Sequence, residues 1–245
     1  MNFEKEKSQT VFSSDGKLEQ CDNALTAAIN GKLSVGASAS DGCVICSLKD
    51  FSPLVVKEEV RKVFKVCDTI GMTYSGLQCD FRKVYMSACK IAEDYRDVYG
   101  KYPFVDVFTF YLSKIFQDYT QKGGQRPLGN LVLVCGPMLK KSEEYDIVTK
   151  HELISGVFQI DPYGSFKAVN AGAIGKDYPQ VVKYITHRLE TTDDNILTCV
   201  KALKEYAGAK ITECDVDIGV YRLKDNIFTR YSLEQVKEVF DSMDS

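Results

Sequence analysis

The sequence predicts an α+β fold, a four-layer α/β/β/α sandwich of two antiparallel sheets stacked face to face with a helix pair outside each. Three observations predict it. Segments of strand and helix character follow the order strands, helix pair, strands, helix pair, strand, helix, which is not the strict alternation of a doubly wound parallel sheet. Asp41-Gly42 sits between two apolar runs, the mark of an antiparallel hairpin. Each long helical segment carries an apolar stripe on one side, as a helix covering a sheet must.

The elements follow in order. Residues 1–17 are polar and end in Ser13-Ser14-Asp15-Gly16, so they read as a tail closed by a turn. Residues 18–245 read as a single domain opening with a short helix over about 18–30. In that helix Leu18, Cys21, Ala24, Leu25, Ala28 and Ile29 recur at helical spacing before Gly31 stops it. Strands are expected at Leu33–Ala39, Cys43–Leu48, Val63–Cys67 and Met72–Ser75. A helix over Leu77–Tyr99 follows, and after Gly100 and Pro103 a second runs to about Thr120.

The second half repeats the order. Strands are expected at Asn130–Cys135, Gly156–Ile160 and Ser165–Val169, then helices at Tyr178–Leu189 and Thr192–Tyr206. Thr191 with Asp194 makes a capping-box pattern at the second of these. A strand at Val216–Tyr221 and a final helix to Phe240, capped by Ser232 and Gln235, complete the chain. The charged stretch from Pro137 to Ser155 reads as a solvated loop.

Composition narrows the class of partner. Of 245 residues, 44% are hydrophobic and 27% charged, with a formal net charge of -3 and no block of five like charges. Nothing in that balance points to nucleic acid. The charged N-terminus lacks the apolar region of a secretory signal, and no apolar run reaches the roughly 20 residues of a membrane helix. Nine scattered cysteines read as reduced, buried small hydrophobes of a protein in the cytoplasm and nucleus. Cys43 and Cys46 form a lone CxxC, but on a strand residues three apart face opposite ways, so the sulfurs diverge.

The catalytic inventory is thin. Only His151 and His187 are present, and neither belongs to a metal-binding or Ser–His–Asp pattern, so no catalytic residue, metal or cofactor is assigned. Gly172-Ala173-Ile174-Gly175-Lys176-Asp177 has the outline of a phosphate loop. Asn170 and Asp177 stand where that loop needs glycine and a hydroxyl, and Asp177 would repel phosphate. Gly123-Gly124 and Pro127 end the second long helix, and Arg126 between them reads as a buried structural arginine.

Several motifs together resemble one family. Phe12-Ser13-Ser14-Asp15-Gly16-Lys17-Leu18-Glu19-Gln20 is similar to the signature opening proteasome alpha-type subunits, and it runs into the short helix that distinguishes them from beta subunits. Tyr119-Thr120-Gln121, then Gly123, Gly124, Arg126, Pro127 and Gly129, resembles the family motif after the second long helix. Asp161-Pro162 with Gly164, and Ala173-Ile174-Gly175, match as well. The stretch from Ile70 to Arg82 is most similar to the second alpha-type branch of eukaryotes. The resemblance implies the sandwich of the N-terminal nucleophile hydrolases and a non-catalytic subunit of the core particle. Its implied work is to build the outer ring, gate the axial channel and dock activators in ubiquitin-dependent degradation. Its implied partners are neighbouring alpha subunits, the beta ring, and the C-terminal tails of a regulatory particle or other activators.

Within that resemblance the nucleophile decides the class. Catalytic members start their first strand with a threonine freed by cleavage after glycine. Here Lys32 follows Gly31 at that place, and Leu48 stands where catalytic members carry an acid. The resemblance also implies two sites. Lys62, with Gly31, Leu18 and Asp22, matches the pocket between neighbouring alpha subunits that receives an activator tail. Lys5, Glu6, Ser14 and Asn23 match the cluster holding the gate open, though only Glu6 keeps the family's acidic character. The alternatives are a catalytically active beta-type hydrolase and an unrelated binding sandwich.

Overall fold

The computed structural model describes residues 11–49, 54–140, 152–207 and 211–244. Its first half runs α1 (Glu19–Ile29), β1 (Ser34–Ser38), β2 (Gly42–Leu48), β3 (Val63–Lys65), β4 (Gly71–Gly76), α2 (Gln78–Tyr99) and α3 (Val105–Gln121). The second half runs β5 (Asn130–Leu139), β6 (Leu153–Ile160), β7 (Phe166–Val169), β8 (Ala171–Ile174), α4 (Tyr178–Thr186), α5 (Thr192–Tyr206), β9 (Val216–Arg222), β10 (Ile227–Arg230) and α6 (Leu233–Asp244).

Two antiparallel five-stranded sheets form, one ordered β10-β9-β2-β1-β8 and the other β3-β4-β5-β6-β7. Side-chain alternation builds three apolar layers around them. Val44, Cys46 and Leu48 of β2 face α4, α5 and α6, packing on Val181, Ile196, Cys199 and Phe240. Val132 and Val134 of β5 face α2 and α3, against Phe81, Phe108 and Phe116. Between the sheets lie Cys43, Ile45, Leu131, Leu133, Cys135 and Tyr221. Every residue of β2 is buried, as expected of a strand covered on both faces. This is the four-layer sandwich, and it splits Cys43 from Cys46 onto opposite faces of one strand.

The caps work as their residue types dictate. Thr191 Oγ1 accepts from Asp194 N at 3.3 Å, and at α6 the Gln235 side chain accepts from Ser232 N at 2.9 Å. Gly100 ends α2 at φ +69°, a left-handed position open to glycine without steric cost, and its N–H reaches Arg96 O at 2.8 Å.

The structure departs from expectation at several boundaries. The strands β8 and β10 are additional. Ala171–Ile174 is small and glycine-bearing, a weak strand signal. It is nevertheless paired to β1 with Gly36 opposite Gly172. A Cβ at Gly36 would come within 3.2 Å of Val157, so small residues here let the sheets approach. The expected loop from Pro137 to Ser155 is shorter, because β5 continues to Leu139 and β6 begins at Leu153, paired in register. Residues 141–151, with His151, lie outside the described residues. The strand from Val63 stops at Lys65, where Val66 N turns to Ile70 O at 2.9 Å. The helix from Tyr178 ends at Thr186, three residues short of Leu189, and the last helix continues past Phe240 to Asp244.

Candidate docking site

Lys62 lies just before β3 with only 7% of its surface exposed. Its Nζ donates to the Tyr74 carbonyl at 3.0 Å and sits 3.5 Å from the centre of the Tyr74 ring. That ring stacks on Phe81 with centroids 3.9 Å apart, and burial pushes the Tyr74 hydroxyl up to about 12. The ammonium is thus held by an aromatic face and a carbonyl of the same residue within β4. Such a contact between a cation and a ring face is attractive in itself.

The backbone of Lys62 is fixed from the other sheet. Asp217 of β9, 2% exposed, accepts from Lys62 N at 2.8 Å and Val63 N at 3.0 Å, and its second oxygen accepts from Arg230 Nε at 2.8 Å. Sequence reasoning missed this residue. The available signal was weak: Asp217 is an acid between Val216 and Ile218, but Glu213 and Asp215 stand just before it, so it does not stand out in the sequence.

Beside Lys62 opens a cavity of about 270 Å³, lined by Gly31, Lys32, Tyr74, Gly76 and Gln78, with Asn30 and Val60 at its sides. The glycines are required by approach. A Cβ on Gly31 would stand 2.1 Å from Gly76 N and 2.3 Å from Ser75 Oγ. Asn30, not Gly31, caps α1, and in the right-handed region. Gly31 therefore serves close packing of the α1 end on β4 rather than a left-handed helix stop. Gly76, at φ +107°, closes the pair, since a Cβ there would meet Gly129 O at 2.1 Å.

Lys32 enters from the start of β1. Leu33 turns to the helices of the first sheet, whereas Ser34 turns inward, its hydroxyl donating to the same Tyr74 carbonyl at 3.1 Å. Lys32, two residues before Ser34, is exposed and lines the cavity. None of the residues lining the cavity is acidic. Two lysines, two side-chain amides and glycine backbone line it, and no nucleophile–base pair is among these residues.

The other predicted positions fall elsewhere. Leu18 caps α1 and Asp22 lies in its first turn, toward the opposite end from Gly31 of an 11-residue helix roughly 16 Å long at ~1.5 Å per residue. Asp22 accepts from the Tyr163 hydroxyl, and burial followed by that bond pushes the Tyr163 hydroxyl up. Ser14 and Asn23 are exposed, Ser14 in a turn closed by Gly16 N on Ser13 O at 3.0 Å. Lys5 and Glu6 lie outside the described residues.

Arg126 corrects one expectation. It is structural, but its side chain is 57% exposed and the buried partner is Asp80, at 9%. The guanidinium grips both Asp80 oxygens, at 2.6 and 2.7 Å, and Gly129 N donates to the same carboxylate at 2.9 Å. Burial alone would raise the Asp80 carboxyl; the bonds from Arg126 and Gly129 outweigh it and hold the group below its ordinary value. Arg126 also donates to the Pro127 carbonyl at 3.0 Å, so the Arg126-Pro127 turn and Gly129 are anchored to the start of α2. The phosphate-loop outline at Gly172–Asp177 is strand and turn. Gly175, at φ +104°, lies against the carbonyls of Gly31 and Lys32.

Fold and motifs together define a subunit built on the nucleophile-hydrolase sandwich with a helix retained ahead of its first strand. The chain belongs to the proteasome subunit family, whose profile matches residues 29–221. By similarity it is of the alpha type. It is 31% identical over 251 residues to the probable proteasome subunit alpha type-2 of Schizosaccharomyces pombe, covering 96% of this chain and 97% of that one. It is 33% identical over 240 residues to proteasome subunit alpha type-2 of Drosophila melanogaster, covering 96% of each. Proteasome subunit alpha type-2 of Oryza sativa subsp. indica is 31% identical over 241 residues, covering 97% of each.

Proposed function

We propose that this chain is a non-catalytic ring subunit of the proteasome core particle. Its work is to pack beside other alpha subunits, sit on the beta ring, restrict the axial entrance with its N-terminal tail and dock activator C-terminal tails. It would act in ubiquitin-dependent degradation in the cytoplasm and nucleus. The observation that carries the reading is the Lys62 cavity. A fixed ammonium in a partly desolvated hollow pairs with a chain-terminal carboxylate, a charge-assisted bond worth about 1.5–3 kcal/mol.

The absence of catalysis is supported by the same place in the fold. Lys32 carries no hydroxyl at the start of β1, and the helix before it is integral. Ala28 is wholly buried, and its carbonyl accepts from Ser75 Oγ at 2.8 Å. Cleavage between Gly31 and Lys32 would expose that core, unlike the release of a loose leader. The separation of Lys62 and Gly31 from Leu18 and Asp22 fits two half-pockets on opposite flanks, each completed by a neighbouring subunit. Docked tails would open the channel only by binding the open state better than the closed one.

The test is a Lys62→Ala chain incorporated into the particle. A tail peptide should lose about tenfold or more in affinity at this subunit, consistent with one charge-assisted bond, while native mass spectrometry shows the ring intact. Unchanged peptide binding would refute docking here.

A further inference from the structure

A second cavity, of about 480 Å³, opens between the first half of α3 and the strands β5, β6 and β7. It is separate from the one beside Lys62, because β7 forms one edge of the second sheet and β3 the other. Its volume falls within the ~300–1,000 Å³ of small-molecule sites. The walls are aromatic: Phe158 is 5% exposed, whereas Phe110, Tyr111 and Phe166 are open to solvent. Phe110 meets Phe166 edge-on with centroids 6.4 Å apart, and meets Tyr111 in the same way at 5.7 Å.

Asp106, in the first turn of α3, is the one charged residue in that lining. Among the described residues four buried side-chain polar atoms have no hydrogen-bond partner: Asp106 Oδ1, Thr109 Oγ1, Asn130 Oδ1 and Asn195 Nδ2. Only Asp106 carries a charge, and a charged group is the costliest to leave unmet. The residue as a whole is half-buried, so its carboxylate can be reached from the cavity. A carboxylate only accepts, so what it lacks is a donor, and a cationic donor makes the stronger bond. The rings favour the same charge. Phe110 and Tyr111 already hold one cation, Lys114 Nζ, at 4.3 and 5.4 Å from their centroids, but Lys114 is not in the lining.

We infer that this cavity binds a small organic amine in its protonated form, an ammonium on an aryl body that donates N–H to Asp106 while the body packs among Phe110, Phe158 and Phe166. Asp106 sets the selectivity for charge, and the rings set the affinity for the body. A quaternary ammonium would please the rings equally but has no hydrogen for Oδ1, so an amine with N–H is preferred over its trimethylated form. A neutral alcohol has the hydrogen and lacks the charge. Lys114 nearby repels an incoming cation, so each preference is modest, about fivefold in affinity.

The experiment labels the full-length chain, alone and in intact particles, with the aryl azide of 2-phenylethylamine, and mass spectrometry quantifies adducts on α3 and β7. Three unlabelled competitors are compared: 2-phenylethylamine, its trimethylammonium analogue and 2-phenylethanol. Labelling should saturate, and the amine should compete at about fivefold lower concentration than either of the others. Both gaps should close to within about twofold in Asp106→Asn, which keeps the shape and removes the charge. Equal competition by all three in the native chain overturns the proposal without recourse to any variant, and so does labelling that does not saturate. Gaps that survive in Asp106→Asn overturn the part given to Asp106. Labelling of the chain alone but not of the particle overturns a free amine as the occupant and assigns the cavity to a basic side chain of a neighbouring subunit.

Discussion

Asp217 reaches across from the first sheet to hold the backbone of Lys62 in the second, accepting from Lys62 N at 2.8 Å and Val63 N at 3.0 Å. One carboxylate thus joins three pieces of chain: β9, the start of β3, and β10 through Arg230 at 2.8 Å. The position of Lys62 depends on a residue remote in sequence. Replacing Asp217 by alanine leaves two backbone N–H groups and a largely covered guanidinium without their acceptor. The expected loss of stability is about 3 kcal/mol, read as a fall of roughly 6–12 °C in the melting temperature of the chain. Asp217→Asn keeps an acceptor for the backbone and should lose less. A variant Asp217→Ala that melts with the native chain would show the bridge to be dispensable.

The sequence made the layers legible because both sheets are covered on both sides. Long apolar runs such as Cys43-Val44-Ile45-Cys46 and Leu131-Val132-Leu133-Val134 then stand out against turn residues. What escaped were elements whose strand character comes from partners rather than from their own side chains. Ala171–Ile174 has little apolar bulk and exists as a strand because β1 offers it an edge. The same limit governed the site. Lys62, Gly31 and the Arg126 turn were found through motifs. Their partners Asp217, Tyr74 and Asp80 come from distant elements, and no spacing in the chain announces such pairings. Arg126 reads in the sequence as a buried structural arginine, yet the buried member of its pair is the acid.

The Asp80–Arg126 pair gives a pH signature. Bonding holds the Asp80 carboxyl below its ordinary value in the folded chain. A group whose folded value is depressed stabilises fully above its unfolded value, near about 4, and that contribution is lost as pH falls through the folded value. Asp80→Asn lacks the contribution at every pH. Urea unfolding of the two proteins should therefore differ by a constant amount above about pH 5, and the difference should shrink below about pH 4. A difference independent of pH down to about pH 2 would mean that the carboxylate charge plays no part. Arg126→Ala strands the buried Asp80 carboxylate, whereas Asp80→Ala leaves a guanidinium that is more than half exposed and open to water, so Arg126→Ala should cost at least as much as Asp80→Ala.

Two glycines separate close approach from backbone conformation as reasons for the residue. Gly100 sits at φ +69° with open space around its Cα, so Gly100→Ala meets only the left-handed penalty, about 1 kcal/mol. Gly31 has the reverse problem. A methyl there would lie 2.1 Å from Gly76 N and 2.8 Å from Gly76 Cα, and backbone atoms cannot swing aside as the end of a side chain can. Gly31→Ala must push the end of α1 off β4, with an overpacking cost of about 1–3 kcal/mol. That displacement also moves one wall of the cavity against Lys62. The two substitutions should therefore differ in kind as well as in size. Gly100→Ala should lower the melting temperature slightly and leave tail-peptide affinity unchanged. Gly31→Ala should lower both, and adding back a small residue opposite it cannot help, because the opposing position is already glycine. Equal peptide affinity in the two variants would mean that the wall formed by Gly31 and Gly76 does not shape the docking cavity.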